Sequence, residues 1–266
     1  MAKILVISSF LAHGAIGLGV INPAFRALGH TIFAVPAVVL SNHPRHVHVA
    51  KAEIPPDALS RMIAALDGNG WLEDLDAVLT GYLPSSAHVS AARDAVLLVR
   101  RRSPMAIYVC DPVLGDDPDG LYIAADAAAA IRDRLLPIAS AATPNRFELA
   151  WLTGEPVTTP AEAVGAALRL GPAVVAATSI PQGESELATL LVAGTETLEA
   201  TVAKRARVPH GTGDLFAAVL TGLLAEGQPR AAAFETAHRI VDQVVVLSAG
   251  QDDLDLSPLT GLRSMP

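Results

Sequence analysis

Short, continuously apolar runs alternate along this chain with stretches of helical spacing, and that alternation limits its fold more than any other feature. Ile4 to Ile7, Ala77 to Leu79, Ala106 to Cys110 and Ala173 to Ala177 read as buried strands, and Thr31 to Leu40 as a longer β-rich run. Asp57 to Leu66, Ala87 to Arg101 and Ala161 to Leu170 carry their apolar residues at helical spacing, and Ala124 to Ala130 also reads as helix. A strand that is apolar at every position has both faces covered, which calls for a mostly parallel sheet between two layers of helices. Leu187 to Val192 and Thr197 to Val202, separated by Ala193-Gly194-Thr195-Glu196, read as a hairpin. Two helices follow, about Gly213 to Glu226 and Ala231 to Leu247. With 266 residues, 51% of them hydrophobic, and no repeat or low-complexity linker, the expectation is one α/β domain spanning 1–266.

The formal net charge of −8 argues against nucleic acid or an anionic membrane as a partner, since both select clustered Lys and Arg. Arg100 to Arg102 is the densest basic stretch and reads as the solvated end of a helix. The single cysteine, Cys110, cannot form an internal disulfide, and no Cys/His zinc spacing is present. The apolar run after Lys3 stops at Ser8-Ser9, too short for a signal peptide, and no run reaches the length of a membrane span. A cytoplasmic protein is expected. Only 17% of residues are charged, which leaves apolar surface for a second copy of the chain.

Such a sheet places its site at the carboxyl ends of the strands. Ser9, Tyr82, Asp111 and Thr178-Ser179 all follow strand-like runs. The most informative segment is His210-Gly211-Thr212-Gly213-Asp214, which opens an apolar helix. Glycines let the backbone approach an anion, and the first amides of a helix point outward with the dipole behind them. Such a turn suits the charge that develops on a transferring phosphoryl group, and Asp214 beside it suits removal of a proton from an alcohol. An ordinary turn with Thr212 or Asp214 as helix N-cap fits the same residues. Cys110-Asp111-Pro112-Val113-Leu114-Gly115-Asp116 brings two acids to a strand end, a pattern that suits magnesium or a solvated loop. Thr143-Pro144-Asn145-Arg146-Phe147-Glu148 places Asn145 and Glu148 on one helical face, or else simply starts a helix with Thr143 as cap. Walker-type and dinucleotide glycine motifs are absent, so a phosphoryl-transfer enzyme built on these segments needs another architecture.

Taken together, Gly-Thr-Gly-Asp, Asp-Pro-Val-Leu-Gly and Thr-Pro-Asn-x-x-Glu resemble the ribokinase superfamily. Ile7-Ser8-Ser9, Gly14 and Gly17, Leu40-Ser41-Asn42-His43, Thr80-Gly81-Tyr82-Leu83, Gly120-Leu121-Tyr122-Ile123, Thr178-Ser179-Ile180-Pro181 and Ala249 to Leu254 narrow the likeness to pyridoxal kinases. The resemblance implies a ribokinase-like fold with a short flap over the site. It implies ATP-dependent phosphorylation of the 5′-hydroxymethyl group of pyridoxal or a related B6 vitamer. Asp214 matches the catalytic base, and Gly211, Thr212 and Gly213 the anion hole. Ser9, His43, Pro44 and Tyr82, with Asp214, match the substrate side. Asp111, Thr143, Asn145, Glu148, Thr178 and Ser179 match positions around ATP, and Asp111, Asp116 and Glu148 positions around the metal. The resemblance further implies Mg2+, a monovalent K+ or Na+ ion, and a homodimer.

The chain departs from the pyridoxal kinase pattern on the substrate side. Ser41-Asn42-His43-Pro44 has Pro44 where the family usually has a threonine that contacts pyridoxal, so a hydroxyl and a backbone donor are both lost. Phe10 stands where His is common and Leu18 where Asn is common. Two rivals therefore stay open. One is a kinase of the same superfamily acting on hydroxymethylpyrimidine or another small alcohol. The other is a non-catalytic vitamer-binding homologue, against which the intact Asp214 counts. His43, His46 and His48 fall close together, and His46 and His48 would share a face of a strand; a metal site or a polar flap fits that pattern.

Overall fold

The computed structural model describes residues 1–260. In chain order the elements are β1 (Lys3–Leu11), α1 (Leu18–Leu28), β2 (Thr31–Leu40), β3 (Lys51–Glu53), α2 (Pro56–Gly68), β4 (Ala77–Thr80), α3 (Ser86–Arg102), β5 (Ile107–Cys110), β6 (Gly115–Asp116), β7 (Gly120–Leu121) and α4 (Ala125–Ala130). They continue with β8 (Ala141–Ala142), α5 (Arg146–Thr153), α6 (Pro160–Leu170), β9 (Val174–Gln182), β10 (Glu186–Ala193), β11 (Glu196–Ala203), α7 (Thr212–Ala225) and α8 (Arg230–Leu247).

A nine-stranded sheet runs in the order β11-β10-β9-β8-β5-β4-β1-β2-β3. Its centre, β2 through β9, is parallel, while β3 at one edge and β10 and β11 at the other are antiparallel. The strand period of two divides each run between the two helical layers. Ile4 and Val6 pack with α1, α7 and α8. Leu5 and Ile7, one residue out of step, pack with α2, α3 and α4. Val175, in register with Ala142, faces α5 and α6 on that second side. Both faces are thus covered, as the continuous apolar runs require.

Two strands run further than their apolar cores. β1 continues through Ser8 and Ser9 to Leu11 because β2 pairs with it throughout, with a register shift between Ser8 and Ser9. β9 continues through Thr178 and Ser179 to Gln182, paired with β10 across a similar irregularity. Ser9 and Thr178-Ser179 therefore lie inside strands, at the bends, rather than after them. β8 and α1 have no counterpart in the sequence reading. Two residues are too few for a pattern, and Gly19 and Pro23 interrupt the helical one; burial of Val20, Ile21, Ala24 and Phe25 outweighs those local preferences. Residues 41–50 form turns and bends, not a strand, so His46 and His48 share no strand face. Among the described residues no helix is long and apolar enough to cross a membrane.

Candidate active site

The carboxyl ends of β1, β4, β5 and β8 converge on the start of α7. Gly211 is the N-cap of that helix in a left-handed conformation (φ 98°), and no side chain caps it. The cap reading for Thr212 or Asp214 thus fails: Thr212 is the first helical residue, and the Asp214 carboxylate turns elsewhere. Its Oδ2 accepts the Gly17 N–H at 3.0 Å. Glycine is required at 211, because a Cβ would lie 2.0 Å from the Ala15 carbonyl oxygen. It is not required by packing at 213, where a Cβ would meet nothing within 4 Å. A glycine there leaves the first amides of α7 open to close approach by an anion.

Asp214 is buried, 9% exposed, and burial pushes its carboxyl up to about 6, with the Gly17 N–H pulling the other way. The end of β4 passes beside it, since a Cβ at Gly81 would sit 3.9 Å from Asp214 Oδ1 and 2.6 Å from Ser8 Oγ. Asp111 leaves β5 on the same side. Burial, with the charge of Asp214 added, pushes Asp111 up to about 8, while the Thr143 hydroxyl donates to its Oδ1 at 2.7 Å. A buried carboxyl raised by the charge of a neighbouring one marks a place where a cation is favourable.

Glu148 is aimed by α5. Asn145, not Thr143, is the N-cap, and the two make a reciprocal capping box. Glu148 Oε2 accepts the Asn145 N–H at 2.8 Å and Oε1 the Leu114 N–H at 3.1 Å. Burial, followed by the charge of Asp111, drives its carboxyl well above the usual range. Asn145 Nδ2 donates to the Gly115 carbonyl at 2.9 Å, and the Thr178 N–H donates to the Pro144 carbonyl at 2.9 Å. Asp111, Thr143, Asn145, Glu148 and Thr178 are thereby one connected cluster. Ser179 adjoins it with φ 58°, a left-handed backbone that marks the bend in β9. Asp116 stands at the cluster's rim, its carboxyl raised by burial while its Oδ1 accepts the Asp117 N–H at 2.8 Å. Among the described residues no three His, Cys, Asp or Glu side chains gather into a metal cage. Magnesium does not need one, because it takes one or two carboxylates together with water and phosphate oxygens.

The opposite wall holds Ser9, buried in β1, with Gly17 pressed against it: a Cβ at Gly17 would lie 2.4 Å from both Ser9 O and Ser9 Oγ. Tyr82 is half-buried, packs against the small cluster of Leu11, Val38 and Leu40, and is raised by burial and by Glu53. Its backbone N–H donates to Ser8 Oγ at 3.3 Å. Phe10 is 39% exposed, whereas Leu18 is buried in the core with α1. His43 and Pro44 lie on the 41–50 turn, whose base takes the His13 N–H on the Ser41 carbonyl at 3.0 Å and whose tip is held by two side-chain contacts. The His43 ring stacks on His210, centroids 4.3 Å apart and planes within 6°. Arg45 pairs with Asp119 beside β7. These two ties, the Gly17 N–H and the Ser8 hydroxyl are features that residue spacing did not signal, since each joins segments distant in the chain.

The phosphomethylpyrimidine kinase family model matches residues 24–254. A pyridoxine/pyridoxal/pyridoxamine kinase of Bordetella bronchiseptica is 37% identical over 248 residues, covering 90% of this chain and 86% of that one. A pyridoxal kinase of Leifsonia xyli is 30% identical over 262 residues, covering 96% and 93%. Among solved structures, a pyridoxal kinase from Leishmania donovani in complex with ADP and pyridoxamine superposes with a TM-score of 0.91 at 27% identity, covering 99% of this chain and 96% of that one. The fold is that of the ribokinase-like pyridoxal kinases, as the resemblance implied. Matched along most of its length by the family model and nearly end to end by these relatives, the chain belongs to the phosphomethylpyrimidine kinase family.

Proposed function

We propose that this chain is an ATP-dependent kinase that phosphorylates the 5′-hydroxymethyl group of pyridoxal or a related B6 vitamer. The observation that carries this reading is Asp214: a buried carboxyl, raised to about 6, oriented by the Gly17 N–H and set in the first turn of α7. A base with that pKa is largely ionised at neutral pH yet still basic enough to accept an alcohol proton as the bond to phosphorus forms. The relatives support the substrate class, being named as kinases of pyridoxine, pyridoxal and pyridoxamine.

In this reading the vitamer ring lies between Ser9, Tyr82 and the turn carrying His43 and Pro44. Its hydroxymethyl oxygen attacks the terminal phosphorus of ATP in line while Asp214 takes the proton, and the bond from that phosphorus to the β–γ bridging oxygen breaks to release ADP. The amides of Gly211, Thr212 and Gly213 receive the negative charge that grows on the transferring group. Thr143, Asn145, Thr178 and Ser179 line the nucleotide side. Asp111, Asp116 and Glu148 would face Mg2+, one or two of them as ligands beside water and phosphate oxygens, with Glu148 positioned by its backbone bonds. Bound there with the nucleotide, the ion supplies neutralisation of phosphate charge. A monovalent K+ or Na+, a single kinase domain over 1–266 and a homodimer belong to the same reading.

A second acceptor has one observation in its favour, the description of the matching family as phosphomethylpyrimidine kinase. Hydroxymethylpyrimidine shares the primary alcohol on an aromatic nitrogen ring, and Pro44 removes polar contacts that would select between the two. The test is ADP release with pyridoxal, pyridoxine, pyridoxamine and hydroxymethylpyrimidine in parallel, for the wild type and Asp214→Ala. A vitamer-dependent signal lost in Asp214→Ala, with ATP binding kept, is the expected result. Full turnover in that variant, or no response to any vitamer, overturns the reading.

A further inference from the structure

The 41–50 turn and the Gly211 to Gly213 turn come from opposite ends of the chain, yet one ring of each meets the other. His43 and His210 lie face to face at 4.3 Å with nearly parallel planes. His210 immediately precedes Gly211, so the ring that carries the stack is one peptide from the amides that begin α7. The contact is built on the other side as well. His46 N–H donates to the His43 carbonyl at 3.1 Å, closing a turn with Pro44 at its second position, and the Arg45 N–H donates to His43 Nδ1 at 3.1 Å. That last bond makes Nδ1 an acceptor, so the His43 ring is neutral. Two neutral rings stack without the repulsion of two imidazolium ions.

We propose that His210 is a positioning residue: stacked on His43, its ring holds the 41–50 turn closed against the turn that starts α7, so the flap and the anion-binding amides form one wall of the site. This rests on the vitamer kinase reading above. The Gly211 turn itself does not depend on the ring, because Gly211 is seated against the Ala15 carbonyl. Loss of the ring therefore frees the flap more than the amides. Arg45 paired with Asp119 is the other side-chain tie, but both side chains are about half exposed, so salt weakens it. The charged and titratable groups around the stack are Arg45 and His46 on the flap, Asp116 and Asp119 at the β6 and β7 hairpin, and His13 with Asp253 and Arg207 with Asp252 around the adjoining cavity of about 390 Å³. Burial, then His210, Arg45 and His46, hold His43 down at about 4, and burial with Arg45 lowers His210 against the pull of Asp116 and Asp119, so the stack is neutral at physiological pH.

The test reads the flap directly, by the rate at which trypsin cuts the Arg45–His46 bond in the intact protein. His210→Ala is expected to raise that rate about threefold to tenfold, the weight of one aromatic stack. His210→Phe, which keeps a flat ring and cannot titrate, returns it to the wild-type value. His43→Ala gives the same increase as His210→Ala, and the double variant adds nothing further. In kinetics, His210→Ala raises KM for the vitamer by a similar factor, and kcat falls by less. Unchanged cleavage in both alanine variants, or no recovery in His210→Phe, overturns the proposal. Cleavage needs no turnover, so it decides the stack even if none of the vitamers is phosphorylated.

Discussion

The Gly17 N–H and the Asp214 carboxylate, 197 residues apart in sequence, are 3.0 Å apart in the fold. Gly17 has φ 55° and no room for a Cβ, so the donor is held in place by the Ser9 backbone behind it. The base of the proposed reaction is thus oriented by the loop that leads from the first strand into α1.

Gly17→Ala should separate that pair. The new Cβ would meet Ser9 O and Oγ at 2.4 Å and has to move the loop. A hydrogen bond to a charged group contributes about 1.5–3 kcal/mol, so kcat should fall about 10- to 100-fold. Steady-state turnover at saturating ATP checks this, alongside a melting curve to exclude unfolding. Turnover close to wild type would show that the Gly17 N–H does not orient the base.

The pH profile should report Asp214. Its folded pKa is raised to about 6, so it is protonated and unable to accept a proton below that value and ionised above it. The logarithm of kcat/KM should therefore climb with unit slope below about 6 and level off above. In Asp214→Asn the remaining rate should show no such step. A step that survives in the asparagine variant belongs to another group.

Asp111→Asn should stabilise the fold while removing turnover. Burial raises Asp111 from 3.8 to about 8, so between those values the folded state holds a proton that the unfolded state releases. Stability accordingly falls as pH rises through that window, and the penalty is fully present above it. Asparagine removes the charge and still offers an oxygen to Thr143 Oγ1. A gain of about 1–3 kcal/mol is expected at pH 8.5 and almost none near pH 4. Denaturant unfolding at the two pH values checks it, and a loss of stability at pH 8.5 would contradict it.

Pro44→Thr should trade flap rigidity for substrate contact. Pro44 is the second residue of the turn closed by His46 N–H on the His43 carbonyl, a position that suits its fixed φ. Threonine returns a hydroxyl and an N–H at a net gain of about 0.5–1.5 kcal/mol, so KM for pyridoxal should drop about 2- to 10-fold. Isothermal titration of pyridoxal onto the two proteins separates binding from turnover. Equal affinities would mean that position 44 does not face the vitamer.

Much of this was fixed by local order along the chain. The apolar runs from Ile4, Ala77, Ala106 and Ala173 had to be buried strands, and burying both their faces left a parallel sheet between helices as the economical solution. Gly211, Thr212, Gly213 and Asp214 at the mouth of an apolar helix were legible as a helix start, because helix-start chemistry is written in consecutive residues. Tertiary structure decided which of its readings fails. A helix cap and a phosphate turn look alike in sequence, and the cap reading is removed by Gly211 taking the N-cap position and by the distant Gly17 N–H, which draws the Asp214 carboxylate away from its own helix. It also decided that Leu18 is core, that Asn145 rather than Thr143 caps α5, and that Ser9 and Thr178 lie at strand irregularities set by the pairing of β2 and β10. The stack of His43 on His210 belongs to the same class. Each of these depends on the partner that folding brings alongside, and a period of two or of 3.6 residues carries no information about partners hundreds of residues away.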